Sequence, residues 1–239
     1  KYLIPLILLG MIHINASENK SPYYLKFGVG QSSVKNVEAK HISDGGNFRR
    51  TMETNFDDSN LYNLGVGYKV NEFFSLELNY LNSEKTNSEK MSYRYNGTLN
   101  TTKYYNSSLK SQALMLTALF DIAKYNNLNW EIRPYVGAGI GYSKNTATLE
   151  RRNLSDDSLD YFSKKEDKNN FAYKGIVGAV YNMTDSIALD LSYSLADYGI
   201  VKAGKSWYNS AGAYGGEKVE AHNHDVVSQE FLIAIRYHF

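Results

Sequence analysis

The sequence predicts an all-β fold, an eight-stranded antiparallel up-and-down transmembrane β-barrel. Three observations favour it: apolar and polar residues alternate in eight segments, the connections between segments are alternately long and short, and aromatic residues gather at the segment ends. The chain has 239 residues, of which 21 are Tyr, 18 are Gly, 3 are Pro and none is Cys. This composition is typical of β structure and excludes disulfides, thiolate nucleophiles and Cys-ligated metals.

Hydropathy and charge narrow the class of protein further. The mean hydropathy of -0.45 argues against a bundle of membrane helices, because each helix needs about 20 mostly apolar residues in a row. A membrane barrel remains compatible with it, since only every second residue of a barrel strand faces lipid. The 26 basic and 25 acidic residues nearly cancel, which argues against nucleic acid as a partner, because nucleic-acid affinity comes largely from phosphate neutralisation.

The first residues resemble a secretory signal. Lys1 precedes an apolar run over 2–12, and the small residue Ala16 follows a few positions later. A positively charged first residue, a short apolar stretch and a small residue at the cleavage site are typical of a signal peptide. A buried N-terminal helix is the alternative, but it would need a polar face that this run lacks before His13. We therefore expect residues 1–16 to be a signal peptide and residues 17–239 to form the barrel.

The eight predicted strands carry apolar residues at every second position. In the first strand Tyr23, Leu25, Phe27 and Val29 alternate with polar or small residues, which puts one set of side chains on each face. A tilted strand crosses a bilayer in roughly 9–11 residues, close to the lengths found here. The predicted strands are 23–30, 61–70, 73–81, 109–122, 130–143, 171–182, 186–195 and 226–239.

The connections alternate between short turns and long polar loops. The long loops are about 31–60, 82–108, 144–170 and 196–225, and they carry 17 basic and 17 acidic residues between them. An up-and-down membrane barrel has this alternation when its long loops face the outside of the cell and its short turns face the periplasm. A soluble sandwich has no reason to sort its loops in this way.

Charged residues of both signs occupy the strand face opposite the apolar one. An eight-stranded barrel is only wide enough for side chains to fill it, and an unpaired buried ion costs several kcal/mol. The alternative is the solvated outer face of a soluble barrel, but its interior would then be overfilled by Tyr, Phe and Leu. We therefore expect a lumenal ion-pair network rather than a diffusion pore. Its predicted members are Lys26, Lys69, Glu77, Arg133, Lys174, Asp190, Glu230 and Arg236.

Aromatic residues mark both ends of the predicted strands, as expected at membrane–water boundaries. The outer ends carry Tyr62, Tyr80, Tyr142, Tyr173 and Tyr193. The periplasmic ends carry Tyr68, Phe74, Phe120, Trp130, Tyr181, Tyr237 and Phe239.

The last strand has the most specific pattern. The strand has one face made of Phe231, Ile233, Ile235, Tyr237 and Phe239, and the sequence ends on that Phe. This resembles the C-terminal assembly signal of bacterial outer-membrane barrels. With the segments 134–142 and 187–193, the whole chain after residue 16 is similar to the outer membrane protein A-like and opacity-type surface-antigen barrels, including rickettsia-like adhesin barrels.

The resemblance implies a place in the bacterial outer membrane, contact with its lipid, recognition by the barrel-assembly machinery and a monomeric state. The larger members carry a peptidoglycan-binding domain after the barrel, and this sequence stops at the barrel, so we do not carry that anchoring function over.

Three motifs could indicate other chemistry. Residues 199–206 match the phosphate-binding pattern G-x-x-x-x-G-K-[ST], but the segment that follows will not sustain the helix that such a loop needs. Residues 137–141 are Gly-rich but lie inside a predicted strand. His222 and His224, near Glu220 and Asp225, have the residue types of a metal site without a defined geometry. We therefore predict no catalytic residue, no cofactor and no metal.

Two functions remain open. The first is a non-enzymatic, adhesin-like surface antigen whose long loops contact a host surface protein or the cell envelope; adhesion is implied by the resemblance. Candidate loop contacts are Arg151, Arg152, Lys164 and Lys165. The second is a barrel-type lipid A-modifying enzyme, an acyltransferase or deacylase, which would need a His with a Ser or an acid near the outer rim.

Overall fold

The computed structural model describes residues 21–35, 37–42, 49–54, 56–88, 90, 94–95, 98–99, 101–203, 206–217 and 222–239. The predicted signal peptide, 1–16, lies outside this range. In the described part of the chain there are sixteen strands and one helical turn. In chain order they are β1 (Tyr23–Val34), β2 (Val37–Ile42), β3 (Arg49–Thr54), β4 (Ser59–Lys69), β5 (Phe74–Ser83), β6 (Thr86–Asn87), β7 (Arg94–Tyr95), β8 (Thr98–Leu99), β9 (Lys103–Asp121), α1 (Ile122–Tyr125), β10 (Ile132–Asn153), β11 (Leu159–Ser163), β12 (Glu166–Asn182), β13 (Ile187–Ala203), β14 (Ser206–Asn209), β15 (Tyr214–Glu217) and β16 (His222–His238).

Eight of these strands form a closed antiparallel ring. Each long strand pairs with the next in the order β1, β4, β5, β9, β10, β12, β13 and β16. The ring closes because β16 also pairs with β1, from Tyr24 opposite His238 to Val34 opposite Ser228. The predicted eight-stranded up-and-down barrel is confirmed. No helix in the described ranges is long and apolar enough to cross a membrane.

The two rims of the barrel differ as the loop lengths predict. One rim, called the periplasmic rim here, is made of the short connections 70–73, 122–131 and 183–186. The middle one contains α1, whose N-terminus is capped by the Asp121 carboxylate accepting a hydrogen bond from the Lys124 N–H at 2.9 Å. The opposite rim, called the outer rim, carries the long connections.

The apolar side chains of the ring face outward. Val136 and Ile233, near mid-strand, are 42% and 45% exposed, whereas a water-soluble barrel would bury such residues. The two aromatic belts also lie outward. At the outer belt, the Tyr62 hydroxyl donates to Glu84 Oε1 at 3.0 Å and the Tyr173 hydroxyl donates to Asp197 Oδ2 at 2.6 Å. Their rings therefore contact lipid while their hydroxyls reach the polar side.

The outward face changes from apolar to polar at the outer belt on every strand of the ring. The last apolar outward residues are Val29, Tyr62, Tyr80, Leu114, Tyr142, Phe171, Leu195 and Phe231. Two positions farther out, the same face carries Gln31, Asn60, Asn82, Gln112, Lys144, Asn169, Asp197 and Gln229. We take this row as the outer boundary of the membrane, because lipid no longer favours apolar side chains beyond it.

The strands continue past this boundary and are longer than predicted. β10 reaches Asn153 and β9 begins at Lys103, so parts of the predicted loops 82–108 and 144–170 are strand. The reason is that the apolar residues move to the inward face above the boundary, as at Leu109 and Leu149, both at most 2% exposed. Beyond Ala147, β10 leaves β12 and pairs with β11, and β14 and β15 extend the sheet from there.

The barrel interior consequently has two parts. The outer part is an apolar cluster that includes Leu61, Met115, Leu149 and Val226. The periplasmic part holds charged groups, beneath which lies a smaller apolar cluster of Leu119, Tyr135, Ile176, Val180 and Ala188.

Candidate functional site

Four of the eight predicted lumenal charges meet in one network. Lys26 Nζ lies 2.7 Å from Asp190 Oδ2 and 3.4 Å from Glu77 Oε2. Arg236 Nη2 lies 2.6 Å from Asp190 Oδ2 and 3.3 Å from Glu77 Oε1. All four side chains are at least nine-tenths buried, and the two cations balance the two anions. The network therefore fills the lumen without net charge.

Two tyrosines that sequence analysis did not single out complete this network. The Tyr24 hydroxyl donates to Glu77 Oε1 at 2.8 Å, and the Tyr135 hydroxyl donates to Asp190 Oδ1 at 2.8 Å. The Arg236 guanidinium lies between the two rings, 5.1 Å and 5.3 Å from their centroids. Both tyrosines are on the inward face of their strands, so alternation placed them in the lumen, but it could not show which carboxylate each would reach.

Glycines on the neighbouring strands make room for these rings. A Cβ at Gly67 would lie 2.1 Å from Tyr24 Cζ, and one at Gly178 would lie 2.5 Å from Tyr135 Cζ. Each ring therefore lies flat against a strand that has no side chain at that point. An alanine at either position would displace the tyrosine and its bond to the carboxylate.

The other four predicted lumenal charges lie elsewhere. Lys174 and Glu230 are buried in the lumen, and Glu230 accepts hydrogen bonds from Ser194 and Tyr198 at 2.9 and 2.5 Å. Arg133 lies at the periplasmic rim, where Nη1 is 3.3 Å from Asp121 Oδ2. Lys69 is exposed at the same rim. Inward parity alone cannot show how far along the barrel axis a side chain lies.

The predicted assembly residues of the last strand face lipid. Phe231, Ile235 and Tyr237 are 44–50% exposed, and β16 is paired on both sides, with β1 and β13. Phe239 follows the strand, and its carbonyl accepts a hydrogen bond from the Ser21 N–H at 3.1 Å. This row is therefore a continuous apolar stripe beside the closing seam.

Of the candidate contact residues, Arg151 and Arg152 lie at the far end of β10, and Lys164 and Lys165 lie between β11 and β12. Arg151 Nε is 2.9 Å from Asp160 Oδ2, and Lys103 Nζ reaches the same oxygen at 2.6 Å. Arg151 also lies over the Tyr161 ring, 4.5 Å from its centroid. Burial acts to raise the pKa of Asp160, but the Lys103 hydrogen bond and the Arg151 charge outweigh it and hold that pKa below its usual range.

A second ion cluster lies beside the first. Arg152 Nη2 is 2.9 Å from Glu150 Oε2, and Arg152 Nη1 donates to the Asp157 carbonyl at 3.0 Å. Lys90 Nζ is 3.6 Å from Asp157 Oδ1 and lies over the Tyr104 ring, whose hydroxyl donates to Asp157. The two arginines predicted as contacts are thus already neutralised by carboxylates of the tip.

An aromatic pair forms the adjoining surface. The Phe162 and Tyr208 rings are stacked, with centroids 5.6 Å apart, and Lys164 Nζ lies 5.0 Å from the Tyr208 centroid. Lys165 is exposed to solvent. The tip therefore presents half-buried aromatic rings and balanced charges on a strand framework. We call this surface, made of Arg151, Arg152, Asp160, Tyr161, Phe162 and Tyr208, the outer tip.

The motifs that suggested other chemistry do not form a site in the described residues. Gly199 to Ala203 end β13, and Ser206 begins β14 instead of a helix; residues 204–205 lie outside the described residues. Residues 137–141 are inside β10. Glu220 and the side chains of His222 and His224 are outside the described residues, and the described part contains no group of three or more metal-ligating side chains.

Comparison with known proteins identifies the family. The family described as outer membrane protein beta-barrel domain matches residues 4–239. The chain belongs to this family. It is therefore an outer-membrane surface protein whose barrel contacts membrane lipid, which confirms the predicted location.

Proteins similar to this chain include one curated relative and two solved structures. Outer membrane protein PagN of Salmonella typhimurium is 29% identical over 139 residues, which are 55% of this chain and 53% of the relative. The chain thus matches about half the length of that relative. The outer membrane protein OprG from Pseudomonas aeruginosa has a TM-score of 0.61 at 14% identity, over 92% of this chain and 97% of the other. The outer membrane protease OmpT from Escherichia coli has a TM-score of 0.54 at 11% identity, over 94% and 99%. These two structures show the same fold and nothing finer.

Proposed function

We propose that this protein is a non-enzymatic, adhesin-like surface antigen, in which the barrel is the membrane anchor and the outer tip contacts a host surface protein. The observation that carries the proposal is the continuation of β9 and β10 beyond the membrane boundary. Between that boundary and Asn153, β10 adds residues 144–153, which at about 3.3 Å per residue run roughly 30 Å along the tilted strand. A framework of this length holds the outer tip clear of the membrane surface.

The chemistry of the outer tip supports protein contact better than binding of a polyanion. Its cations Arg151 and Arg152, and the neighbouring Lys103, are engaged by Asp160, Glu150 and Asp157, so these three leave little positive potential to attract an anionic polymer. Tyr and Arg are the residue types that dominate protein–protein interfaces. Rigid strands also reduce the ordering cost of binding.

The remaining parts of the proposal concern assembly. We infer that residues 1–16 are removed as a signal peptide, that Phe231, Ile233, Ile235, Tyr237 and Phe239 are read by the barrel-assembly machinery, and that the barrel is monomeric. The ring closes on itself and leaves no unpaired edge within it, which supports the monomer. The ion-pair network blocks the lumen at mid-barrel, which supports an anchor rather than a pore.

A variant of the outer tip tests the adhesive role. Replacing Phe162 and Tyr208 together by Ser should reduce binding of bacteria or detergent-folded protein to host cells by at least about tenfold, because aromatic residues at the centre of an interface can contribute about 2 kcal/mol or more each. Tyr161 is left unchanged, because it packs against the interior apolar cluster. The matched control replaces Tyr142 and Phe171, a contacting pair of rings in the outer belt, by Leu. Binding should be unchanged in the control.

Two outcomes would contradict the proposal. Host-cell binding that survives the outer-tip substitutions, in a variant that still shows heat-modifiable migration of a folded barrel, removes the role of that surface. A change in the acyl pattern of lipid A between cells with and without the protein, measured by mass spectrometry, would instead favour the lipid A-modifying enzyme.

A further inference from the structure

Amide side chains dominate the row of outward residues that marks the outer boundary of the membrane. Six of its eight residues are Asn or Gln, and the other two are Lys144 and Asp197. The six amides are Gln31, Asn60, Asn82, Gln112, Asn169 and Gln229. An amide donates and accepts hydrogen bonds without carrying a charge. The boundary therefore presents mostly uncharged hydrogen-bonding groups at the height of the lipid headgroups.

Three of these amides lie together where the barrel closes. Gln31 of β1 is directly opposite Asn60 of β4 on one side and Phe231 of β16 on the other. Gln229 is two positions farther out on β16, diagonal to Gln31. Directly opposite side chains have Cβ atoms about 4.5–5.5 Å apart, and diagonal neighbours are about 7–8 Å apart. We call these four residues the seam cluster; they are close enough for a single headgroup to contact them together.

The amides of the seam cluster are open to a ligand. Gln31 and Gln229 are exposed, and their side chains have no hydrogen-bond partner among the described residues. Asn60 Nδ2 donates to Glu84 Oε2 at 2.8 Å, which leaves its oxygen as an acceptor. At the periplasmic rim, by contrast, the exposed Asn71 holds its own turn by accepting hydrogen bonds from two backbone N–H groups, at 3.0 and 2.7 Å. The seam amides have no such structural task.

The charged groups beside the seam cluster disfavour an anionic ligand. Glu84 is bonded to Asn60. Asp58 Oδ1 accepts a hydrogen bond from the Ser33 hydroxyl at 2.6 Å, and Ser33 is directly opposite Gln229. Binding of anionic headgroups depends on clustered Lys and Arg, whereas these two neighbours are carboxylates. A sugar hydroxyl can donate to a carboxylate or an amide oxygen and accept from an amide N–H. The cluster therefore suits an uncharged, hydroxyl-rich headgroup.

The surface on the membrane side of the cluster is apolar. Val29 and Ile233 lie opposite each other across the seam, two positions closer to mid-barrel than Gln31 and Phe231, and both are exposed to lipid. The exposed Phe231 ring lies beside the amides and presents an apolar surface at the headgroup level. A ligand that contacts both surfaces needs a polar headgroup with acyl chains attached, which is the architecture of a membrane lipid.

We propose that the seam cluster binds the sugar headgroup of a glycolipid in the outer leaflet. The amides of Gln31, Asn60 and Gln229 bond to sugar hydroxyls, and the acyl chains lie along Val29 and Ile233. The site is separate from the outer tip and does not rest on the adhesive function. Because these hydrogen bonds join uncharged groups, binding is not screened by salt, unlike the binding of a lipid phosphate.

Native mass spectrometry of the detergent-folded chain tests the site by counting the lipids that stay bound to the barrel. The probes are digalactosyldiacylglycerol, whose headgroup is an uncharged sugar, phosphatidylcholine and phosphatidylglycerol, all with the same acyl chains. We expect the galactolipid to be retained about three- to tenfold more than phosphatidylcholine, the effect of one or two net hydrogen bonds. Phosphatidylglycerol should be retained no better than phosphatidylcholine.

A double-alanine variant tests the two open amides. Gln31→Ala combined with Gln229→Ala should reduce the preference for the galactolipid to less than about twofold. Asn169→Ala is the matched control, because it removes an exposed amide of the same boundary row on β12, away from the seam. The preference should be unchanged in the control. Phe231 is kept in all variants, since it belongs to the predicted assembly signal.

A double-lysine variant separates recognition from damage to the fold. Gln31→Lys combined with Gln229→Lys places two cations at the membrane surface and should turn the preference toward phosphatidylglycerol, by about fivefold for each lysine. A misfolded barrel would not show this gain. Heat-modifiable migration identifies the folded barrels, and if the double-alanine variant does not fold, the double-lysine variant decides alone.

The proposal is overturned if the parent protein retains the galactolipid no better than phosphatidylcholine, or retains phosphatidylglycerol equally well. It is also overturned if the double-alanine variant keeps the preference, if Asn169→Ala loses it to the same extent, or if the double-lysine variant shows no turn toward phosphatidylglycerol.

Discussion

The same eight strands build two different interiors, one on each side of the outer membrane boundary. Within the membrane the outward face is apolar and the lumen holds Lys26, Glu77, Asp190 and Arg236. Beyond the boundary the outward face is polar, and the inward side chains, such as Leu149 and Val226, form an apolar cluster. In β10 and β16, for example, the pattern therefore inverts at the point where lipid is replaced by water outside the barrel.

This inversion shows that the surroundings, rather than the fold, decide which face of a strand is apolar. In lipid the hydrophobic effect gives little drive to bury Leu or Val in the lumen, so polar side chains can fill much of it if they satisfy one another, beside the small apolar cluster that contains Leu119 and Val180. In water the same strands need an apolar interior for stability. The ring of eight outward polar residues that includes Gln31 and Gln229 marks the change.

Removing a lumenal anion should have the largest effect on stability. Asp190→Asn leaves Lys26 and Arg236 with only Glu77 as a counter-charge, and breaking a buried ion pair typically costs about 3–5 kcal/mol. The free energy of unfolding in urea, measured in lipid vesicles, would show this loss. The matched control is Asp167→Asn, which breaks the exposed Lys144–Asp167 pair of 2.8 Å and should cost at most about 1 kcal/mol. Equal losses in both variants would show that the lumenal network is not a distinct stabilising unit.

A charge placed on the outward face should have an effect that depends on the side of the boundary. Val177→Lys puts a cation in lipid at mid-strand of β12 and should destabilise the barrel by about 2–4 kcal/mol. Asn169→Lys puts the same cation on the same strand and face, beyond the boundary, and should change stability by less than about 0.5 kcal/mol. Urea unfolding of both variants checks the position of the boundary. Comparable losses of stability in the two variants would show that the boundary lies elsewhere.

The smallest expected effect is the pH dependence of the outer tip. The pKa of Asp160 is held below its usual range by Lys103 and Arg151. A depressed folded-state pKa contributes stability above the unfolded pKa of about 4, and this contribution is lost as the pH falls through the lower folded value. Asp160→Asn should therefore remove an acid-induced loosening of the tip below about pH 4, worth at most about 1 kcal/mol. The rate of proteolysis at the tip between pH 7 and pH 3 measures it; an unchanged pH profile would contradict the role of this pair.

Alternation along the strands predicted the membrane part of this fold but not the outer part. The pattern at Tyr23, Leu25, Phe27 and Val29 identifies a strand in lipid, because its apolar face is continuous. Where the pattern inverts, as between Tyr142 and Leu149, the apolar residues change parity and the continuity is lost. The outer ends of β9 and β10 were accordingly predicted as loops. A search for apolar positions of opposite parity next to the aromatic belt would have found them.

Parity predicted eight charged residues on the lumenal face, but not which of them come into contact. Parity places Arg133 and Arg236 on the same side of the wall, yet one lies at the rim with Asp121 and the other at mid-barrel with Asp190. Their positions along the barrel axis depend on the stagger between strands. The spacing of residues within one strand does not show that stagger. Tyr24 and Tyr135 were missed because a tyrosine in a lumen has no distinctive spacing; the glycine opposite each ring, Gly67 or Gly178, becomes informative only once the register is known.

The closing seam has a consequence for biogenesis. Lys26 lies directly opposite Arg236 across the junction of the first and last strands, while the carboxylates that neutralise them come from β5 and β13. Joining the two ends of the chain before these strands are in position would force two like charges together in a poorly screened space. Closure before β5 and β13 are in place would therefore cost electrostatic energy that the complete ring does not.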